Sequence, residues 1–208
     1  TGIIQIYVES SQEAYDAHIA AFKIAEDSKI LLPVMVCMDG WILTHSYERV
    51  TLVEQEEIND FLPPFRPPNY LNCSKPMSWG SYAEENVLME FKYAIQQAML
   101  YAKDRINEIF VELSAITGRY YGKLIERYRS KDADFILVGM GSVAGTVKEA
   151  VDRLREAGKK VGLVRIRCYR PFPQEEIWEA IKEAKVVGVM EADYSMGSQG
   201  AVGMDLKA

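Results

Sequence analysis

The residue pattern with the clearest chemical meaning is Gly139–Ala144, which reads Gly-Met-Gly-Ser-Val-Ala between an apolar run and a helical pattern. It fits GxGxxA, the turn in which backbone N–H groups at a helix start contact a dinucleotide pyrophosphate. That fingerprint also requires an acid at the end of the next strand, to bind a ribose hydroxyl. The next strand ends instead with Arg165 and Arg167, which only an NADP site could tolerate. The pattern therefore supports either a nucleotide site or a tight strand-to-helix turn with Ser142 as its cap.

A second set of polar residues follows the second predicted strand. Asp39, His45 and Glu48 could form a base with its orienting acid, or a metal site. The chain has only two histidines, and the other one, His18, lies in a predicted helix. No nucleophile at a recognisable spacing accompanies them. A structural histidine at a strand end is therefore the preferred interpretation.

Acidic residues at other element ends allow two interpretations each. Glu191 and Asp193 follow the last predicted strand, at the carboxyl edge where α/β sheets bind ligands, although a solvated strand end explains them equally well. The acidic pairs at 84–85 and 175–176 fit the first turns of helices, where carboxylates stabilise the helix dipole. None of these acids requires a catalytic explanation.

The three cysteines, Cys37, Cys73 and Cys168, have no CxxC spacing. An odd count is a poor disulfide framework, and two of the three lie in apolar runs, where cysteine behaves as a small hydrophobe. We expect no disulfide, no structural zinc site and no iron–sulfur cluster within this chain.

Alternating strand and helix patterns predict parallel sheets in both halves of the chain. Ile3–Val8 is a predicted strand, Ser10 with Glu13 forms a capping box before a helix, and Ile30–Met38 is a continuous apolar run typical of a buried strand. The later part repeats this order as βαβαβ. Its predicted elements are the strand Phe135–Gly139, the helix Val143–Ala157, the strand Val161–Cys168, the helix Gln174–Glu183 and the strand Val186–Glu191.

Two further segments connect these units. Five of the eight prolines fall within Pro63–Pro76, which we interpret as a packed connector rather than a PxxP ligand. Glu84–Leu113 contains neither glycine nor proline and repeats apolar residues at steps of three and four, which predicts a long amphipathic helix. Packing against its own domain is the more common use of such a helix, and a coiled coil between chains is the alternative.

Composition excludes several classes of protein. The net charge is −6 with a pI near 5.1, so no global basic field is available for nucleic acid or anionic lipid. The longest apolar run is far shorter than the roughly 20 residues that span a bilayer. We expect a cytoplasmic protein. Because the sequence starts within a predicted strand and stops within a helix, we also expect that neither terminus is natural.

Several stretches in order resemble the alpha subunits of 2-oxoacid:ferredoxin oxidoreductases, the pyruvate synthase type included. They are Thr1–Ala14 (Thr-Gly-Ile-Ile-Gln-Ile-Tyr-Val-Glu), Leu32–His45 (with Asp-Gly-Trp-Ile-Leu-Thr-His), Ile116–Tyr121, Met140–Thr146 and Tyr169–Pro173. Trp41 stands where the family commonly has phenylalanine. Ile3 stands where it often has tryptophan or methionine.

The resemblance implies a thiamine diphosphate enzyme that decarboxylates a 2-oxoacid and passes electrons through [4Fe–4S] clusters to ferredoxin, with coenzyme A as acyl acceptor. The expected partners are beta, gamma and delta type subunits, a second alpha subunit and ferredoxin. Pyruvate is the leading substrate, and 2-oxoglutarate, branched-chain 2-oxoacids or oxalate are alternatives. Magnesium and the diphosphate site belong to another subunit of that family.

The resemblance also predicts an α/β fold in two parts. Residues 1–130 would be the C-terminal part of a pyrimidine-side thiamine domain, and residues 131–208 a truncated transketolase C-terminal-like domain, joined near Arg129–Asp132. The family's substrate threonine motif, its carboxylate-binding arginine and its aminopyrimidine glutamate all precede the segment that matches Thr1. We therefore predict no catalytic, cofactor-binding or metal-binding residue here, and a structural, subunit-contacting role. The alternative is a stand-alone nucleotide-binding or scaffold module that uses Gly139–Ala144.

Overall fold

The computed structural model describes residues 2–80 and 82–208. Its strands are β1 (Ile4–Tyr7), β2 (Val34–Cys37), β3 (Ile125–Tyr128), β4 (Phe135–Gly139), β5 (Val161–Ile166), β6 (Cys168–Arg170) and β7 (Val186–Met190). Its helices are α1 (Ser11–Ala25), α2 (Ile42–His45), α3 (Gln55–Phe61), α4 (Leu88–Thr117), α5 (Val143–Glu156), α6 (Gln174–Ile181) and α7 (Ala201–Lys207).

The strands form two sheets, and the predicted α/β fold class is confirmed. The first has the order β2-β1-β6, in which β1 pairs parallel to β2 and antiparallel to β6. The second has the order β3-β5-β4-β7, in which β4 pairs parallel to both β5 and β7. These parallel pairs are the ones that the strand and helix patterns predict.

Two predicted strands differ clearly from the strands of the structure. The strand predicted over Ile30–Met38 covers only Val34–Cys37. The chain is still in a turn before it, because the Asp27 carbonyl oxygen accepts the N–H groups of Ile30 and Leu31, and Leu31 has φ 46°. β2 is also half-exposed rather than buried, since it lies at an edge of its sheet. The strand predicted over Val161–Cys168 divides into β5 and β6, which belong to different sheets.

The long helix is also displaced from its prediction. It begins at Leu88 and ends at Thr117, where Gly118 adopts φ 67° as the C-cap. Glu84 and Glu85 therefore precede the helix, and the Glu84 carbonyl accepts the N–H of Leu88. Only the second half of α4 is buried, where Ala102 is the first fully covered residue and the helix packs against α1.

Sequence reasoning missed β3, whose residues Ile-Glu-Arg-Tyr mix charged and apolar side chains. β3 pairs antiparallel with β5 in the second sheet, whereas β6, farther along the chain, pairs in the first sheet. Arg129–Asp132 connects β3 to β4 within the second sheet. The division into domains at 130/131 remains a prediction.

The apolar core lies mainly between the first sheet and its two long helices. Buried residues of β1 and α1 pack there with the buried half of α4, and Cys168 joins them. Smaller clusters cover each face of the second sheet, one under α6 and α7 and one under α5. Among the residues that the structure describes, no helix is both long enough and apolar enough to cross a membrane.

Candidate functional site

A cleft of about 520 Å³ lies where the carboxyl ends of strands from both sheets meet, and we call it the inter-sheet cleft. It contains three of the features singled out in the sequence: Asp39, the glycine turn after β4, and the acids after β7. Its lining residues are Tyr7, Cys37, Met38, Asp39, Met140, Gly141, Ser142, Val143, Tyr169, Met190, Glu191, Ala192, Asp193 and Ala201.

The glycines of the turn satisfy backbone requirements. Gly141 has φ 74°, a conformation that other residues adopt only with strain. A Cβ on Gly139 would lie 3.3 Å from the Met190 carbonyl oxygen of the neighbouring strand β7. Ser142 is the N-cap residue of α5, but its side chain makes no capping hydrogen bond. The predicted tight turn is present, whereas the predicted serine cap is not.

Each acid of the cleft accepts hydrogen bonds from backbone N–H groups. Asp39 Oδ1 accepts from Trp41, Ile42 and Leu43, at 3.3, 2.6 and 3.2 Å, and so caps α2. Desolvation opposes ionisation of Asp39, but the nearby Ser142 side chain and the hydrogen bonds from these N–H groups hold its pKa below the usual value. Asp39 is therefore a carboxylate at neutral pH.

The two acids after β7 serve α7 in the same way. Glu191 accepts from the N–H groups of Val202 and Gly203, at 2.8 and 3.1 Å. Asp193 accepts from the Ala201 N–H at 2.9 Å, and this bond lowers the pKa of Asp193. These carboxylates orient the start of α7, which is the structural explanation of strand-end acids.

The charge of the inter-sheet cleft disfavours an anionic ligand. Asp39, Glu191 and Asp193 face it, and within the described chain none of its lining residues is Lys, Arg or His. A pyrophosphate at the α5 N-terminus would lie in a cleft whose described lining carries three acids and no cation. The helix dipole supplies only a partial positive charge. The arrangement suits a neutral or cationic group better than a nucleotide.

Asp39 lines the inter-sheet cleft, whereas His45 and Glu48 do not. The exposed His45 ring stacks on Trp41, with ring centroids 5.1 Å apart, and lies 3.1 Å from the Thr44 hydroxyl. Glu48 accepts the N–H of Ser11 at the start of α1, at 3.1 Å. The ring of the other histidine, His18, contacts the Ala14 carbonyl within α1 at 2.7 Å. Each is accounted for structurally.

Arg165 and Arg167, which the sequence left as possible phosphate ligands, are buried in an ion-pair cluster. Arg165 Nη1 donates to Glu13 Oε2 at 2.7 Å, and Arg167 Nε donates to Glu13 Oε1 at 2.7 Å. All three side chains are at most 2% exposed. Burial alone would raise the pKa of Glu13, but the guanidinium groups of Arg167 and Arg165 outweigh it and keep that pKa low.

Three more charged residues complete this cluster. Arg165 Nε donates to Glu126 at 2.6 Å, and Lys148 donates to Glu9 at 2.6 Å and to Glu126 at 3.0 Å. We call the six residues Glu9, Glu13, Glu126, Lys148, Arg165 and Arg167 the Glu13 cluster. Its three carboxylates and three cations balance, and they join α1 of the first sheet to β3, β5 and α5 of the second. Neither arginine is available to a cofactor phosphate.

Arg167 and Arg119 hold the connection between α4 and β3 in place. Arg167 Nη1 donates to the carbonyl oxygens of Gly122 and Lys123, at 2.7 and 2.9 Å, and its guanidinium lies 4.2 Å from the Phe110 ring centroid. Two hydrogen bonds of 2.8 Å join Arg119 to Asp16 of α1. The crossover from the first sheet to the second is thereby fixed on both sides.

Sequence reasoning missed the role of Glu13 and the tyrosines of the inter-sheet cleft. Glu13 was accounted for as a capping-box residue, and Ser10 does accept its N–H at 3.1 Å. Its carboxylate accepts from Glu9 N–H, however, and binds both arginines. The available signal was the Arg-Ile-Arg alternation at 165–167, which places two cations on one face of a strand. From the sequence pattern, Tyr7 and Tyr169 are identified only as residues of strands.

The described residues do not fit a metal or cluster site. Within them, His, Cys, Asp and Glu side chains form no group of three that could hold a metal ion. Cys168 is buried in β6, Cys73 is exposed in the connector, and Cys37 lines the inter-sheet cleft. Burial raises the pKa of the Cys168 thiol to about 12. The acidic lining of the inter-sheet cleft does not fit the diphosphate of thiamine diphosphate either.

Two protein-family models match successive parts of the chain. Residues 1–111 match the model described as pyruvate flavodoxin/ferredoxin oxidoreductase, thiamine diphosphate-binding. Residues 133–208 match the model described as pyruvate:ferredoxin oxidoreductase core domain II. The segment between the two models contains the crossover and β3.

Curated relatives are similar along the whole chain. Identity is 43% with the pyruvate synthase subunit PorA of Methanosarcina barkeri and 46% with that of Pyrococcus furiosus, each alignment covering 100% of this chain and 52% of the relative. The ketoisovalerate oxidoreductase subunit VorA of Pyrococcus horikoshii is 40% identical, with the same coverages. The chain thus spans about half the length of these relatives.

A solved structure supports the fold. It is the 2-oxoglutarate:ferredoxin oxidoreductase from Magnetococcus marinus with 2-oxoglutarate, coenzyme A and succinyl-CoA bound. The superposition has a TM-score of 0.59 at 17% identity and covers 93% of this chain and 35% of that one.

Proposed function

Because this chain belongs to the pyruvate flavodoxin/ferredoxin oxidoreductase family, we propose that it is part of the alpha-type subunit of a 2-oxoacid:ferredoxin oxidoreductase. The whole enzyme would decarboxylate a 2-oxoacid, transfer the acyl group to coenzyme A and pass two electrons to ferredoxin. The observation that carries this proposal is the similarity of this whole chain to about half of each PorA subunit, at 43–46% identity. A cytoplasmic location is part of the same proposal.

Pyruvate is the substrate that we propose. The PorA relatives named above are more similar to this chain than the VorA subunit of Pyrococcus horikoshii, at 43–46% against 40% identity. Thiamine diphosphate is the expected cofactor, since the matching model for residues 1–111 is a thiamine diphosphate-binding one. Magnesium and [4Fe–4S] clusters would be held by other parts of the enzyme.

We assign this segment a structural and subunit-contacting role. The Glu13 cluster and the bonds to the α4–β3 crossover fix the two sheets relative to each other. The inter-sheet cleft lacks cations for a diphosphate, and its acids are engaged in capping α2 and α7. No catalytic step is therefore assigned to a residue of this chain. Its expected partners are the companion beta, gamma and delta type subunits, a second alpha subunit and ferredoxin.

A nucleotide-binding module built on Gly139–Ala144 is the weaker candidate. The acidic lining of the cleft repels a diphosphate, and Arg165 and Arg167, which could have bound a ribose 2′-phosphate, are buried against Glu13. The N-terminus of α5 still attracts a phosphate through its partial positive charge, but the negative charge of the three carboxylates is larger.

Reduction of a viologen dye tests the proposal directly. The alpha subunit, co-produced with its companion subunits, is assayed with pyruvate, 2-oxoglutarate, a branched-chain 2-oxoacid and oxalate, with coenzyme A present. We expect the highest kcat/KM with pyruvate. Turnover with none of the four acids by an assembled complex would contradict the proposed function.

The chain of 208 residues alone serves as the second arm of this test. We expect no dye reduction, and no binding of thiamine diphosphate with Mg²⁺ at micromolar concentration in a calorimetric titration. Micromolar binding by the isolated chain would show that a cofactor site lies here, contrary to the assigned role.

A further inference from the structure

Exposed apolar side chains are concentrated between residues 41 and 101. Among the residues that the structure describes, 33 large hydrophobic side chains are exposed, and 17 of them lie in this segment, including Trp41, Tyr47, Leu71, Tyr82, Met89 and Tyr93. The segment holds less than a third of the chain. We call the exposed side chains of residues 41–80 and 82–101 the 41–101 surface. A concentration of this kind is typical of an interface.

The first turns of α4 supply the sharpest part of this surface. Over residues 88–97 every side chain is exposed except Ile95, which is partly buried against the core of the first sheet, so most of the surface of these turns has no contact with the rest of the described chain. Met89 is 75% exposed and Tyr93 64%. Helical stability in proteins comes mostly from packing of an apolar face, so these turns require a contact that the described chain does not supply.

The net charge of the 41–101 segment indicates what kind of partner would bind it. The segment carries eight acidic and four basic residues, a net charge of −4 out of −6 for the whole chain. None of these eight carboxylates forms an ion pair with a described residue, whereas 15 of the 22 carboxylates outside the segment do. Glu84, Glu85 and Glu90 stand unpaired among the exposed apolar residues at the start of α4.

We propose that the 41–101 surface is the docking face for a different polypeptide whose contact surface is apolar at its centre and basic at its rim. An unlike partner is favoured over a second copy because two copies meeting through this surface would oppose net charges of −4. The start of α4 fits a groove that contacts it on more than one side, as in helix-in-groove recognition. This inference rests on the proposed function, in which the partner is a companion subunit of the oxidoreductase.

The test measures assembly with the companion subunits by analytical ultracentrifugation and amide hydrogen exchange. Two variants of the full chain are compared with wild type: Glu84→Lys/Glu85→Lys/Glu90→Lys, which reverses the charge, and Met89→Ser/Tyr93→Ser, which removes apolar contacts. Glu156→Lys is the matched control, because Glu156 is exposed and unpaired at the end of α5. All these side chains are exposed, so the fold of the free chain is expected to be unchanged.

We expect each test variant to weaken subunit association at least tenfold, with the control unchanged, and exchange across residues 84–101 to slow only in the complex. Unchanged association of both variants would overturn the proposal. It would equally be overturned if charge reversal strengthened self-association of the chain and left companion binding intact, since a second copy would then cover the surface. Dye reduction by the wild-type complex reports separately on the proposed function.

Discussion

The carboxylate of Glu13 accepts hydrogen bonds from two arginines and from a backbone N–H at the same time. Burying three charges costs desolvation energy that their mutual attraction repays only when every polar atom finds a partner. Here Arg165 and Arg167 also reach Glu126 and the carbonyls of the α4–β3 crossover. These ion pairs therefore orient the two sheets, and they stabilise the fold only while each buried charge keeps its partner.

Replacing Glu13 by Gln tests this dependence. The variant keeps the shape of the side chain and leaves two buried guanidinium groups without their shared anion, so we expect the free energy of unfolding to fall by about 3–5 kcal/mol. Urea denaturation at pH 7 measures it. Glu149→Gln, which breaks the exposed pair with Arg153, is the control and should have an effect near the limit of measurement. Equal losses in both variants would contradict the assigned role.

The same residue predicts a pH dependence with a definite sign. The folded-state pKa of Glu13 lies below its ordinary value, because the cations of Arg167 and Arg165 overcome the effect of burial. Its ionisation therefore stabilises the fold fully above about pH 4.3, the unfolded value, and that contribution is lost as the pH falls through the folded pKa. The difference in unfolding free energy between wild type and Glu13→Gln should shrink from pH 7 to pH 3. A constant difference would exclude Glu13 as its source.

Cysteine reactivity provides a further prediction at the level of single residues. Cys73 is exposed, Cys37 is partly covered with its pKa raised by burial, and Cys168 is fully buried with a pKa of about 12. Because the thiolate is the reactive species, we expect alkylation by iodoacetamide in the order Cys73, Cys37, Cys168, with the last modified only on unfolding. Mass spectrometry of timed samples checks the order, and denaturing, non-reducing titration should find three free thiols.

At the scale of elements, the connection between α4 and β3 depends on one glycine. Gly122 has φ 97°, and a Cβ there would lie 2.7 Å from the Ile125 carbonyl oxygen. Gly141, in the turn after β4, also has a positive φ but no heavy atom within 4 Å of such a Cβ. Both positions have a positive φ, and they differ in how closely neighbouring atoms approach an added Cβ.

Gly122→Ala and Gly141→Ala therefore separate strain from collision. We expect about 1 kcal/mol of destabilisation at position 141, from the left-handed backbone alone. At position 122 the loss should be larger by roughly 1–3 kcal/mol, because the backbone of β3 must move. Chemical denaturation of the two variants beside wild type measures both. A Gly141→Ala loss as large as that of Gly122→Ala would contradict the steric argument.

At the scale of the whole molecule, the segments outside the two sheets differ in how they are held. Residues Pro63–Gly80 contain neither helix nor strand and are mostly exposed. The turn Arg129–Asp132 is short but anchored, since Arg155 binds the carboxylate of Asp132 twice at 2.9 Å and the Arg129 carbonyl at 2.6 Å. Ser130 within it is buried.

Limited proteolysis of the folded chain distinguishes these segments. We expect the first cleavages within residues 63–80, where backbone is accessible, and protection of the 129–132 turn. Mapping of early fragments by mass spectrometry gives the result. Early cleavage at Lys131 would show that the Arg155 contacts do not hold this turn, and would favour a flexible join at the predicted position.

The sequence by itself determined the local elements and their order. Apolar strand runs, helical spacing of apolar residues and Ser10 as a cap predicted β1, α1, α4 and the βαβαβ order of the second sheet, because these signals act within a few residues. Collinear similarity to a family then indicated the function. Strand ends and the start of α4 were less well predicted, since tertiary contacts decide where a strand leaves its sheet.

Only the tertiary structure decided what the charged residues do. Glu13 lies 152 positions from Arg165 along the chain, and no local pattern could pair them. Asp39, Glu191 and Asp193 all line the inter-sheet cleft because the two sheets place their strand ends together. The same acids make the GxGxxA segment unsuitable for a nucleotide, so we interpret it as a structural turn. Local structure follows from short-range sterics and hydrogen bonding, whereas the electrostatics of a site depend on which distant residues the fold brings within a few ångströms.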